Sequence, residues 1–131
     1  MKTIKTKNFN PKSDPKLLCT CGHEHCDKRS VDQITLDKVQ LMRNDYGKSM
    51  VINSGARCPL HRNEVGRGKF TDHQLRYTVD IACDNLQDET KIKVLAGRHG
   101  ATRVAGAFKD GFVHCSWTPT ARKDVPTWEY S

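Results

Sequence analysis

Apolar residues recur at Val31, Ile34, Val39, Leu41, Met42 and Tyr46 in one broad helical stripe that halts at Gly47. Ser30-Val31-Asp32-Gln33 in front of it fits a capping box, so the pattern predicts a helix beginning there. Lys38 and Asp45 interrupt the stripe, which places this helix on the surface with one face against a sheet. Ser49 to Ser54 reads as a short strand, followed by a loop through Gly55, Pro59, Gly66 and Gly68. From Tyr77 to Cys83, Tyr77, Val79, Ile81 and Cys83 alternate with Thr78, Asp80 and Ala82, a strand with Asp80 on the face away from the bulkier apolar side chains. Asn85 can cap a second helix over residues 86–97. Thr102–Phe108 and Gly111–Trp117 then form a hairpin around Lys109-Asp110, with His114 sharing a face with Phe112 and Ser116. The pattern divides the chain into an extended arm or docking segment over 1–18, a domain over 19–117 and an extended tail over 118–131.

Composition narrows the setting. A chain of 131 residues is long enough for one modest core and too short for two substantial ones. The 22 Lys and Arg outnumber the 15 Asp and Glu, giving a net charge of +7 and an isoelectric point near 9.2. Such a surface favours anionic partners: nucleic acid, an anionic cell-wall polymer or membrane headgroups. The basic residues are scattered, without runs or interleaved aromatics, so charge alone does not favour nucleic acid. No stretch approaches the roughly 20 apolar residues of a membrane span. The first residues lead into polar sequence rather than an apolar leader, so the expectation is synthesis in a cytosol with no export signal. Six cysteines in that setting read as thiols or metal ligands rather than a disulfide framework.

Two groups of residues could ligate metal. His73, Asp80 and His114 supply two nitrogens and a carboxylate, a three-ligand zinc set that leaves the fourth position for water. The alternative for the same residues is a buried His114 bonded to backbone and an Asp80 that ends or caps a strand. Cys19, Cys21 and Cys26, with His23 and His25 between them, could supply a second, structural zinc completed by Cys58 or His61; reduced thiols without metal are the alternative. Cys83 and Cys115 occupy apolar-facing strand positions and read as core residues, with Trp117 packed beside them.

The stretch Ile52-Asn53-Ser54-Gly55-Ala56-Arg57-Cys58-Pro59 through Gly66, the segment Thr71 to Asp80, and Phe112-Val113-His114 together resemble the zinc-dependent D-Ala-D-Ala carboxypeptidase and endolysin peptidase family M15. The resemblance covers about residues 50–117. It implies an α+β fold shared with the hedgehog signalling domain, a small antiparallel sheet with packed helices and zinc in a groove. It implies His73, Asp80 and His114 as zinc ligands, and Arg57 as the guanidinium that grips a substrate carboxylate through two hydrogen bonds. Zinc in such a site lowers the pKa of its water and polarises the scissile carbonyl, while a nearby carboxylate moves the proton. Substrates would be peptidoglycan stem or cross-link peptides, and stand-alone domains of this layout are common in bacteriophages, as virion proteins or host-cytoplasmic proteins awaiting lysis. The chain departs from the family pattern at Thr71, Arg76 and Thr78, where Ser, Gly and Ala are usual, and at Gly111, where many members carry the catalytic acid. The adjacent Asp110 is the first candidate for proton transfer, with Asp72 and Glu24 behind it. Lys109-Asp110-Gly111 is also good turn chemistry. Two rivals stand beside the peptidase: a non-catalytic, zinc-stabilised virion module on the same fold, and a basic nucleic-acid-binding zinc domain built on the cysteine cluster.

Overall fold

The computed structural model describes residues 4–58, 61, 64–65 and 73–118. A short 3-10 helix (Pro15–Leu17) precedes helix α1 (Gln33–Tyr46) and strand β1 (Ile52–Ser54). Strand β2 (Thr78–Ala82), helix α2 (Leu86–Arg98), strand β3 (Arg103–Ala107) and strand β4 (Phe112–Ser116) follow, with a 3-10 turn over Phe108–Asp110 joining the last two strands. The strands form one antiparallel sheet in the order β1-β2-β4-β3, so the molecule is α+β. The expected tail lies outside the described residues apart from Thr118. No helix among the described residues is long and apolar enough to cross a membrane.

The period-2 pattern of β2 divides the sheet chemically. Val79 and Ile81 of β2, with Val113 and Cys115 of β4, are fully buried in an apolar cluster with Leu36, Val39 and Met42 of α1 and Ile92, Leu95 and Ala96 of α2. Cys83 and Cys115 belong to this core as expected, and burial pushes the Cys115 thiol well above its usual range. Trp117 packs against the same cluster and donates its indole N–H to the His99 carbonyl at 2.9 Å. Thr78, Asp80, His114 and Ser116 point the other way, and they too are buried. β2 and β4 are in direct register across Asp80 and His114, and the Thr78 hydroxyl donates to Ser116 Oγ two residues along.

Helix α2 starts where Asn85 caps it: the Asn85 side chain accepts from the Asp88 amide at 2.8 Å. In α1 the cap is Asp32, which accepts from the Thr35 amide at 2.8 Å, and the Ser30 hydroxyl donates to the Val31 carbonyl instead. The helix therefore begins two residues later than a capping box at Ser30 requires, and its buried face differs from the expected stripe. Ile34 and Leu41 of the expected stripe are exposed, whereas Thr35, Leu36, Val39, Gln40, Met42 and Tyr46 are buried. Asp32→Ala is expected to cost about 1 kcal/mol, lowering the melting temperature by about 3–5 °C. Ser30→Ala should change it by less than half as much; equal effects in thermal melts would restore the capping box.

Gln40 is buried because the N-terminal segment covers it. Its side-chain carbonyl accepts from the Thr6 hydroxyl and the Asn8 amide, and its NH2 donates to Asn8 Oδ1. Phe9 and Leu17 from the same segment enter the main core, and the Val31 amide donates to the Leu17 carbonyl. Described residues of the stretch read as an arm or docking segment are thus docked on α1.

Candidate metal centre

His73, Asp80 and His114 converge from three places in the chain. The sheet supplies two of them at a fixed separation, because Asp80 and His114 are paired neighbours whose side chains stand on the same face. The turn entering β2 supplies the third, held by two contacts to the loop after β1: the Arg57 amide donates to the His73 carbonyl at 3.0 Å, and His73 Nδ1 lies 2.6 Å from the Gly55 carbonyl. Gly55 is needed where it stands. A Cβ there would fall 2.8 Å from the Leu17 carbonyl oxygen and 2.8 Å from a Val31 methyl.

All three side chains are buried. Asp80 Oδ2 lies 3.3 Å from His73 Nε2, Asp80 Oδ1 lies 3.0 Å from His114 Nδ1, and the two imidazoles meet edge to face with centroids 5.1 Å apart. A carbonyl can only accept, so the Gly55 contact assigns the His73 proton to Nδ1 and turns the Nε2 lone pair toward the Asp80 carboxylate. Two lone-pair-bearing atoms at that distance need a proton or a metal cation between them. The ligand atoms lie within 4.8 Å of one another, and a backbone carbonyl orienting the far nitrogen of a histidine is the usual outer support of a metal ligand. The three residues therefore fit a metal ion. Burial would raise the Asp80 carboxyl, but the flanking His114 and His73 imidazoles outweigh that and hold it well below the ordinary range.

Arg57 stands at the edge of this group. Its NH2 is 3.9 Å from Asp80 Oδ2, and its NH1 is 3.3 Å from Glu64 Oε2. Arg57 is thus no surface ion pair: its side chain is 13% exposed and that of Glu64 is fully buried. Gln74 donates to the other Glu64 oxygen at 3.2 Å, while Arg57 Nε has no hydrogen-bond partner among the described residues. Arg57 also lines a small pocket of about 110 Å3 together with Asn53, Ser54, Ala56 and His61 and with Lys16, Leu18, Cys19 and Thr20.

Sequence reasoning gave Glu64 no role, although it lies within the loop that carries the family resemblance. A single acid among glycines and charges has no periodicity to mark it as buried. The other acids fall elsewhere. Asp110 sits exposed in the turn before β4, and the structure does not bring it to the His73, Asp80 and His114 group. Gly111 adopts φ +85°, a left-handed conformation that an acidic residue would occupy only with strain, so the turn itself explains why no acid stands there. Glu24 is exposed beside His25, and Asp72 lies outside the described residues.

The cysteines form a second group. Cys19, Cys21, Cys26 and Cys58 bring their sulfurs within 4.8 Å of one another, while His23 and His25 are exposed with their rings tilted together. His61 lines the Arg57 pocket and is not one of the four. Burial pushes the Cys19 thiol up to about 12. Burial would raise Cys26 as well, but the Lys28 amide and the neighbouring cysteines hold it down to about 7.

A family model described as Peptidase M15 matches residues 9–116. No curated protein and no solved structure matches the chain.

Proposed function

The chain belongs to the Peptidase M15 family, and on that premise we propose that it is a zinc-dependent peptidase cleaving peptidoglycan stem or cross-link peptides, encoded by a bacteriophage. The observation that carries the reading is the buried convergence of His73, Asp80 and His114 beside Arg57. Two imidazole nitrogens and one carboxylate oxygen suit zinc better than the oxygen-seeking magnesium or calcium ions. A zinc ion held by these three residues supplies a Lewis acid and a nucleophile at neutral pH.

The chain's own side chains do the rest. The Gly55 carbonyl fixes the His73 ring, and the β2–β4 register fixes Asp80 against His114. Arg57 lines the adjoining pocket and brings a guanidinium to it, and its Nε has no hydrogen-bond partner among the described residues. That group suits the carboxylate of a short peptide, and Glu64 is the positioning residue that holds it. The net charge of +7 draws the protein toward an anionic wall.

A second reading, the non-catalytic virion module, is favoured by one observation: Asp110 remains exposed in its turn. Peptide release from purified peptidoglycan separates the two. Wild type is expected to release peptides, His114→Ala to release none, and Asp110→Asn to keep its activity. No release from any wall chemotype, with zinc bound, sinks the enzymatic reading.

A further inference from the structure

The four clustered cysteines lie outside the peptidase centre, and nothing in the proposed reaction uses them. They come from two distant parts of the chain: Cys19, Cys21 and Cys26 from the segment between the first 3-10 helix and α1, and Cys58 from the loop after β1. Cys21 Sγ and Cys58 Sγ are 3.7 Å apart, and all four sulfurs lie within 4.8 Å of one another. A disulfide places its sulfurs about 2.05 Å apart, and all six cysteines are free. A tetrahedral ion with zinc–sulfur bonds of about 2.3 Å instead separates its ligand sulfurs by about 3.8 Å.

The backbone is shaped around the cluster. Gly22 and Lys28 both adopt positive φ, the Cys26 amide closes a turn onto the His23 carbonyl, and the Lys28 amide donates to Cys26 Sγ at 3.4 Å. The Cys19 amide donates to the Arg29 carbonyl, which folds the two ends of the segment together. Cys19 and Cys58 are buried, and Cys21 and Cys26 are half-buried.

We propose that Cys19, Cys21, Cys26 and Cys58 hold a structural zinc ion in a closed, four-thiolate site. Its place in the fold gives it a purpose. Cys58 follows Arg57 directly, and the Arg57 amide holds the His73 carbonyl, so an ion on Cys58 pins the loop that carries Arg57 and orients His73 to the N-terminal segment. Three protein ligands would leave a zinc ion at the peptidase centre one open position, whereas an ion on the four thiolates would have none and would not be hydrolytic.

The test is metal analysis and cobalt substitution of the full chain, purified under reducing conditions without chelator. Wild type is expected to carry two zinc ions, and the His73→Ala/His114→Ala variant one. With cobalt(II) in place of zinc, both should show an intense near-ultraviolet thiolate-to-cobalt charge-transfer band, which the His-Asp-His centre cannot produce. Cys21→Ser/Cys26→Ser should lose that band. Absence of the band from wild type and from the histidine variant overturns the proposal, whether or not the cysteine variant folds. The result is independent of the peptidase reading: two ions with the band but no peptide release would sink that reading and leave this one standing.

Discussion

Asp80→Asn is expected to strip the metal from the sheet centre and to lower peptide release by at least about a thousandfold. Asp80 contacts both histidines, and through Oδ2 it also faces Arg57. Asparagine preserves its shape and its place in β2, where backbone pairing to β1 and β4 holds it on both sides. What is lost is the anionic ligand, leaving two neutral imidazoles and an amide. The Lewis-acid contribution of a bound metal is worth several kcal/mol of transition-state stabilisation, and about 4 kcal/mol corresponds to a thousandfold in rate. Total zinc should fall by one ion per chain, with the cysteine-bound ion retained. Release within tenfold of wild type, with zinc undiminished, would remove Asp80 from the metal centre.

What could be read from the residues depended on whether a local rule was left alone by the tertiary structure. Asn85 caps α2 as its side-chain chemistry allows, and the helix begins directly after it. At α1, Ser30 and Asp32 are both good caps; the Asp32 amide is drawn to the Arg76 carbonyl and the Arg76 guanidinium to the Ser30 carbonyl, contacts from far along the chain that no local pattern contains. Gln40 lies outside the apolar stripe because its cover, the segment around Thr6 and Asn8, has no periodicity of its own. The site divides similarly. Strand alternation already put Asp80 and His114 on polar faces, and pairing of β2 with β4 made those faces one. Glu64 and Gln74 lie in aperiodic chain, so only the fold reveals that they buttress Arg57. For Asp110 the turn chemistry was legible, and being in the turn is what keeps it exposed.

Arg57→Met is expected to destabilise the protein by up to about 3–5 kcal/mol, because it removes a cation 3.3 Å from the fully buried Glu64 carboxylate. Glu64→Gln alone should cost less. Its amide oxygen can still accept from Gln74, and the Arg57 guanidinium keeps Asp80 at 3.9 Å. In the double variant both charges are gone, so stability should recover most of the loss, a coupling of at least about 2 kcal/mol in urea denaturation at fixed free zinc. Additive losses would show that the pair is not coupled. Peptide release then separates the two roles of Arg57. If the guanidinium grips a substrate carboxylate, the double variant is folded but weak, with KM raised and metal content unchanged. If Arg57 serves only to neutralise Glu64, release returns with stability, and the pocket beside the metal recognises something other than an anionic peptide end.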